Sequence, residues 1–126
     1  MLNEPGSDAA NRLWTAATTA MASQLVYPEA RAALAAARRG GRIGARAHQA
    51  CVDELDKELC AELQVIALGE PLALLAGKIS DAYRLRALDA VHLASVMSVG
   101  VDSMVLVTWD QALAAAGARA GYRVAP

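Results

Sequence analysis

Leu85-Arg86-Ala87-Leu88-Asp89-Ala90-Val91-His92-Leu93-Ala94 reads as a strongly apolar helix with one carboxylate, Asp89, where the pattern wants a hydrophobe. At helical spacing Leu85, Asp89, His92 and Val96 share one face, and Leu88, Val91 and Ser95 cover the adjoining one. A helix that is apolar nearly all round is a buried helix. An ionised carboxylate on it costs roughly several kcal/mol unless a cation or hydrogen-bond donors meet it. Asp89 therefore asks for partners, and Arg84 and Arg86, close by in sequence, are candidates for contacts to carboxylate or phosphate.

Outward from this helix the chain alternates short apolar runs with helical patterns. A helix capped by Ser7 or Asp8 is expected to about residue 20, followed by a buried strand over residues 21–26. Pro28 suits a first helical turn and opens a helix that stops at Gly40-Gly41; a second runs over about residues 45–64, with Asp53, Glu54, Asp56 and Lys57 to one side. A strand over residues 65–68 ends at Gly69, Pro71 starts a helix to about Tyr83, and the Asp89 helix stops at Gly100. Residues 104–107 form the clearest strand; Thr108-Trp109-Asp110 links it to a helix ending near residues 117–121, and residues 122–124 read as a terminal edge strand. The alternation predicts an α/β domain with a short, mostly parallel sheet flanked by helices.

Composition bounds the rest. The 126 residues are 56% hydrophobic and 20% charged, which places the chain among globular proteins and makes a single domain over residues 1–126 the expectation. Ala supplies about a quarter of the chain and Phe is absent, so the core should be Leu, Val and Ala on closely packed helices. No apolar run approaches the ~20 residues of a membrane span, and the first residues carry no signal-peptide pattern, so a cytoplasmic protein is expected. Cys51 and Cys60 fall on roughly opposite faces of one helix and read as reduced thiols. A net charge of −1 argues against grip on nucleic acid by bulk electrostatics and leaves a local basic patch with a bound metal. Arg38, Arg39, Arg42 and Arg46 read as a solvated helix end.

Two further acids stand where an open α/β sheet places its chemistry, just beyond strand ends. Glu29 follows the strand at residues 21–26, and Asp110 follows the one at residues 104–107. Each has a local explanation: Glu29 answers the helix dipole, and Asp110 or Thr108 caps a helix. Asp89 has none if it sits mid-helix, and His92 reads as a core histidine. Together with Asp89 the two acids make a carboxylate cluster for which a hard divalent cation, Mg²⁺ or Mn²⁺, is the natural partner.

Tyr27-Pro28-Glu29-Ala30-Arg31-Ala32-Ala33-Leu34, then the stretch from Leu85 to Ala94, then Val107-Thr108-Trp109-Asp110 resemble, in this order, the PIN-domain toxins of bacterial toxin–antitoxin systems, the VapC type. The resemblance implies a PIN fold and a Mg²⁺- or Mn²⁺-dependent endoribonuclease. Motif by motif it carries over Glu29, Asp89 and Asp110 as metal-holding catalytic acids, with Thr108 beside the last. It also implies a homodimer silenced by a cognate antitoxin. Members open with a strand of the type hydrophobic-Leu-Asp-Thr-Ser-Ala whose Asp is a metal ligand, whereas residues 2–8 here look like the segment that follows it. The expectation is therefore a chain without that strand and acid, through an upstream start or a true truncation. Its metal site should be weakened, and a silent PIN-like module that binds antitoxin or dimerises without cutting RNA is the alternative.

Overall fold

The computed structural model describes residues 7–17, 19–100 and 104–126. The elements run α1 (Ser7–Ala16), β1 (Ala20–Ser23), α2 (Val26–Arg39), α3 (Ala45–Ala61), β2 (Leu63–Ile66), α4 (Glu70–Tyr83), α5 (Ala87–Val99), β3 (Val105–Val107), α6 (Gln111–Arg119) and β4 (Arg123–Ala125). The α/β alternation is as the sequence reads, but the strands divide into two parallel ribbons rather than one sheet. β1 pairs with β2, Ala20 opposite Leu63 through Ser23 opposite Ile66; β3 pairs with β4, Val105 opposite Arg123 through Val107 opposite Ala125. Each ribbon is extended by one backbone bond past its last residue, Gln24 N–H to the Ile66 carbonyl and Thr108 N–H to the Ala125 carbonyl.

Boundaries move where tertiary pairing overrides the local pattern. α1 ends at Ala16, short of the expected residue 20. α3 stops at Ala61, so β2 starts two residues before the predicted strand, where Leu63 meets Ala20. Asp8 lies in the first turn of α1, where an acid suits the helix dipole. The reading of residues 2–6 as the segment after a family first strand lies outside the described residues.

The main core forms where α4 and α5 pack on each other and on β3 and α6, with Leu93, Ala94 and Ala116 fully sealed and Ile79, Leu85, Leu106 and Leu113 around them. Ile66 at the end of β2 and Leu68 just after it pack against the same cluster, so both ribbons contribute to one core. A smaller cluster of Leu34, Val52 and Leu55 zips α2 to α3. That hairpin is clasped at its surface by Tyr27, whose hydroxyl donates to Asp56 Oδ1 (2.7 Å) and accepts from Arg31 Nη1 (2.8 Å). Cys51 and Cys60 are both free thiols, as expected. Among the described residues no helix is long and apolar enough to cross a membrane.

The α4–α5 corner decides where the chemistry goes. α4 ends at Arg84 in the left-handed region (φ 54°), and Leu85 then returns into the core with its N–H on the Ser80 carbonyl and its carbonyl on Ser80 Oγ. α5 therefore begins at Ala87, with Arg86 as its extended N-cap residue. Asp89 is in the first turn of the helix, not mid-helix as its apolar neighbours suggest, and the helix dipole there favours its charge.

Candidate active site

All three acids singled out in the sequence are tied to residues 86–92 of this corner. Asp89 is buried, at 6% exposure, and its Oδ2 receives Arg86 Nε at 3.4 Å. The same guanidinium reaches Asp110 Oδ2 through Nη2, also at 3.4 Å, so one cation spans two carboxylates. Glu29, in the first turn of α2, lies against His92, with Oε2 2.6 Å from Nε2. His92 is one helical turn beyond Asp89, about 4.5 Å along the axis. Among the described residues, no three Asp, Glu, His or Cys side chains come close enough to hold one metal ion.

Each side chain is placed by local physics. Asp110 is the N-cap of α6: its Oδ1 accepts the Leu113 N–H at 2.8 Å, which fixes the carboxylate and leaves Oδ2 toward Arg86. Thr108 Oγ1 accepts the Asp110 N–H at 3.1 Å and so shapes the turn between β3 and the cap. Thr108 thus acts on Asp110 through the backbone: the capping explanation holds for Asp110, alongside its link to Arg86, whereas Thr108 is not the cap of α6 and shapes the turn before it. Arg86, not Arg84, is the partner of Asp89. The left-handed turn at Arg84 separates the two arginines, and Arg84 itself serves as the C-cap residue of α4.

His92, read from sequence as a core residue, instead meets Glu29; its position three residues after Asp89 was the available signal. Its partner acid lies 63 residues away, a contact only folding supplies. Two carboxylate oxygens sharing one guanidinium also supply a direct test of whether a metal suits the site. The pair already accepts a cation, and hard carboxylate oxygens are the ligands Mg²⁺ and Mn²⁺ prefer.

Comparison with known proteins places this chain in a family. The PIN domain matches residues 1–118. The chain is 37% identical over 126 residues, all of its own length and 87% of the relative's, to Ribonuclease VapC45 of Mycobacterium tuberculosis (strain CDC 1551 / Oshkosh). It matches Ribonuclease VapC49 of Mycobacterium tuberculosis (strain ATCC 25618 / H37Rv) with the same identity and coverage. With the motifs around Glu29, Asp89 and Asp110 in family order on a PIN-like α/β frame, the chain belongs to the PIN-domain family, in its VapC branch.

Proposed function

We propose that this chain is the ribonuclease toxin of a toxin–antitoxin pair, a Mg²⁺- or Mn²⁺-dependent endonuclease that hydrolyses RNA phosphodiesters. The observation that carries this reading is the gathering of Glu29, Asp89 and Asp110 onto one short segment of α5 from three distant parts of the chain. Asp89 and Asp110, which already share one cation, would hold the metal, with Glu29 one turn further along α5; the metal's chemistry when bound is to activate water and neutralise charge on the phosphodiester. Asp89 contributes a carboxylate fixed by burial, and Asp110 one fixed by its capping bond to Leu113. Thr108 orients Asp110. His92 holds the Glu29 carboxylate beside α5.

The same reading includes a cytoplasmic location, a cognate antitoxin that silences the toxin, and a homodimer. It is supported by the family and by the names of the mycobacterial relatives. The test is cleavage of labelled RNA by the purified chain, in Mn²⁺ or Mg²⁺ against EDTA, with Asp89→Asn alongside. Metal-dependent cutting that Asp89→Asn abolishes supports the enzyme. Binding of the antitoxin with no cutting in either metal would assign the chain to the silent PIN-like class instead.

A further inference from the structure

We propose that Arg86 is the resident counter-ion of the Asp89–Asp110 pair, that a divalent cation displaces it, and that the displaced guanidinium then takes a backbone phosphate of the RNA. This rests on the metal-centre reading above and assigns a role in it to a cationic residue.

The argument starts from which of the three partners can move. Asp89 is fixed by burial, its side chain only 9% exposed, and Asp110 by the capping bond to the Leu113 N–H. The Arg86 side chain is 82% exposed. Its backbone is nonetheless anchored, because the Arg86 carbonyl accepts the first bond of α5, from Ala90 N–H at 2.9 Å. The carboxylates are therefore preset, and the guanidinium is a mobile head on a fixed root.

Its hold is also loose. Both contacts are 3.4 Å long, whereas charge-assisted N–H···O bonds typically close to about 2.7–2.9 Å. A single positive charge spread over a planar fork balances two carboxylates incompletely, and a compact divalent ion placed there balances them fully. Once released, the fork keeps its bidentate donor geometry, which matches a phosphate as well as it matches a carboxylate. In a chain of net charge −1, a cation kept at the acids until metal arrives meets a real need, since bulk attraction for RNA is weak.

The test is Mn²⁺ titration of the full chain without RNA, by calorimetry, for the wild type, Asp89→Asn, Arg86→Gln, Arg84→Gln and Arg86→Gln/Asp89→Asn. Removing the exposed guanidinium from both carboxylates should tighten Mn²⁺ about three- to tenfold in Arg86→Gln. Arg84→Gln, an equal change in charge two residues away, should shift it less than about twofold, and the double variant should lose the gain. The second readout is fluorescence anisotropy of a labelled mixed-sequence oligoribonucleotide at matched Mn²⁺ saturation, with its integrity checked on a gel. Arg86→Gln should bind it more weakly while binding metal more tightly; opposite movements of the two affinities are something a merely structural arginine does not produce. Unchanged or weaker Mn²⁺ binding in Arg86→Gln, with Asp89→Asn still weakening the wild type, overturns the counter-ion role and leaves the metal centre standing. Equal tightening in Arg84→Gln overturns it as a general charge effect. Unchanged RNA affinity in Arg86→Gln overturns the phosphate role. Absence of Mn²⁺ binding in both wild type and Arg86→Gln overturns the inference together with the metal centre beneath it.

Discussion

Gly117 and Gly77 each lie within a helix, and the structure assigns the same replacement opposite signs at the two. In α6, a Cβ on Gly117 would stand 2.5 Å from Leu106 Cδ2 and 3.4 Å from Val124 Cγ2, inside the seam where the helix presses on β3 and β4. Leu106 is 7% exposed and belongs to the main core, so its methyl has little room to retreat. Overpacking of this kind costs about 1–3 kcal/mol. The gain in helix propensity from Gly to Ala returns about 0.5–1 kcal/mol, so Gly117→Ala should lose about 1–2 kcal/mol overall. In α4, a Cβ on Gly77 meets nothing within 4 Å, and Gly77→Ala should gain about 0.5–1 kcal/mol. Urea unfolding followed by circular dichroism reads both. With a slope of about 1.5 kcal/mol per molar urea, the two midpoints should separate by about 1–2 M, on either side of wild type. Gly117→Ala matching the stabilisation of Gly77→Ala would refute the close seam between α6 and the β3–β4 ribbon.

Other expectations follow from single contacts. In EDTA, Asp89→Asn should cost about 1 kcal/mol, the sum of a first-turn dipole term and one long ion pair to an exposed guanidinium, because the Arg86 it releases is solvated and not stranded. A loss above about 3 kcal/mol by thermal unfolding would make Asp89 a structural anchor, and saturating Mn²⁺ should raise the melting temperature of wild type but not of Asp89→Asn. Glu58 has its pKa raised above 4.5, first by desolvation and then by Glu54 and Glu62 one turn away on either side. Its protonated form is thus favoured by folding, and stability falls as pH rises from about 4.5 through the raised folded value. Glu58→Gln should accordingly raise the urea midpoint slightly at pH 7, the effect being reduced by solvent screening of this half-buried group, and leave it unchanged near pH 4, as paired pH titrations of the midpoint would show. Arg84→Gly should relieve a left-handed backbone at φ 54° and hold or raise stability by up to about 1 kcal/mol; a clear loss would mean that the Arg84 side chain, not its backbone, secures the corner.

The α/β alternation and the choice of candidate acids were legible from sequence because they depend on neighbours along the chain. Pro71 after Gly69 announces α4, Gly100 stops α5, and Asp110 after an apolar run announces the cap of α6. The motifs around Glu29, Asp89 and Asp110 are likewise contiguous, which is why they carry the family resemblance without the fold. Less legible was the start of α5. No Gly or Pro marks the break at Arg84, so the periodicity of Leu85 and Leu88 runs on across a corner that the burial of Leu85 enforces.

Only tertiary structure decided who meets whom. The division of the strands into two ribbons depends on pairings 43 and 18 residues apart, Ala20 with Leu63 and Val105 with Arg123. The contact between Glu29 and His92 spans 63 residues, and the reach of Arg86 to Asp110 spans 24. Spacing along the chain carries no signal at those separations, because loop closure costs nearly the same entropy for many alternative partners. What selected these partners was the packing of α4 on α5 and of α5 on β1 and α6 around one shared core.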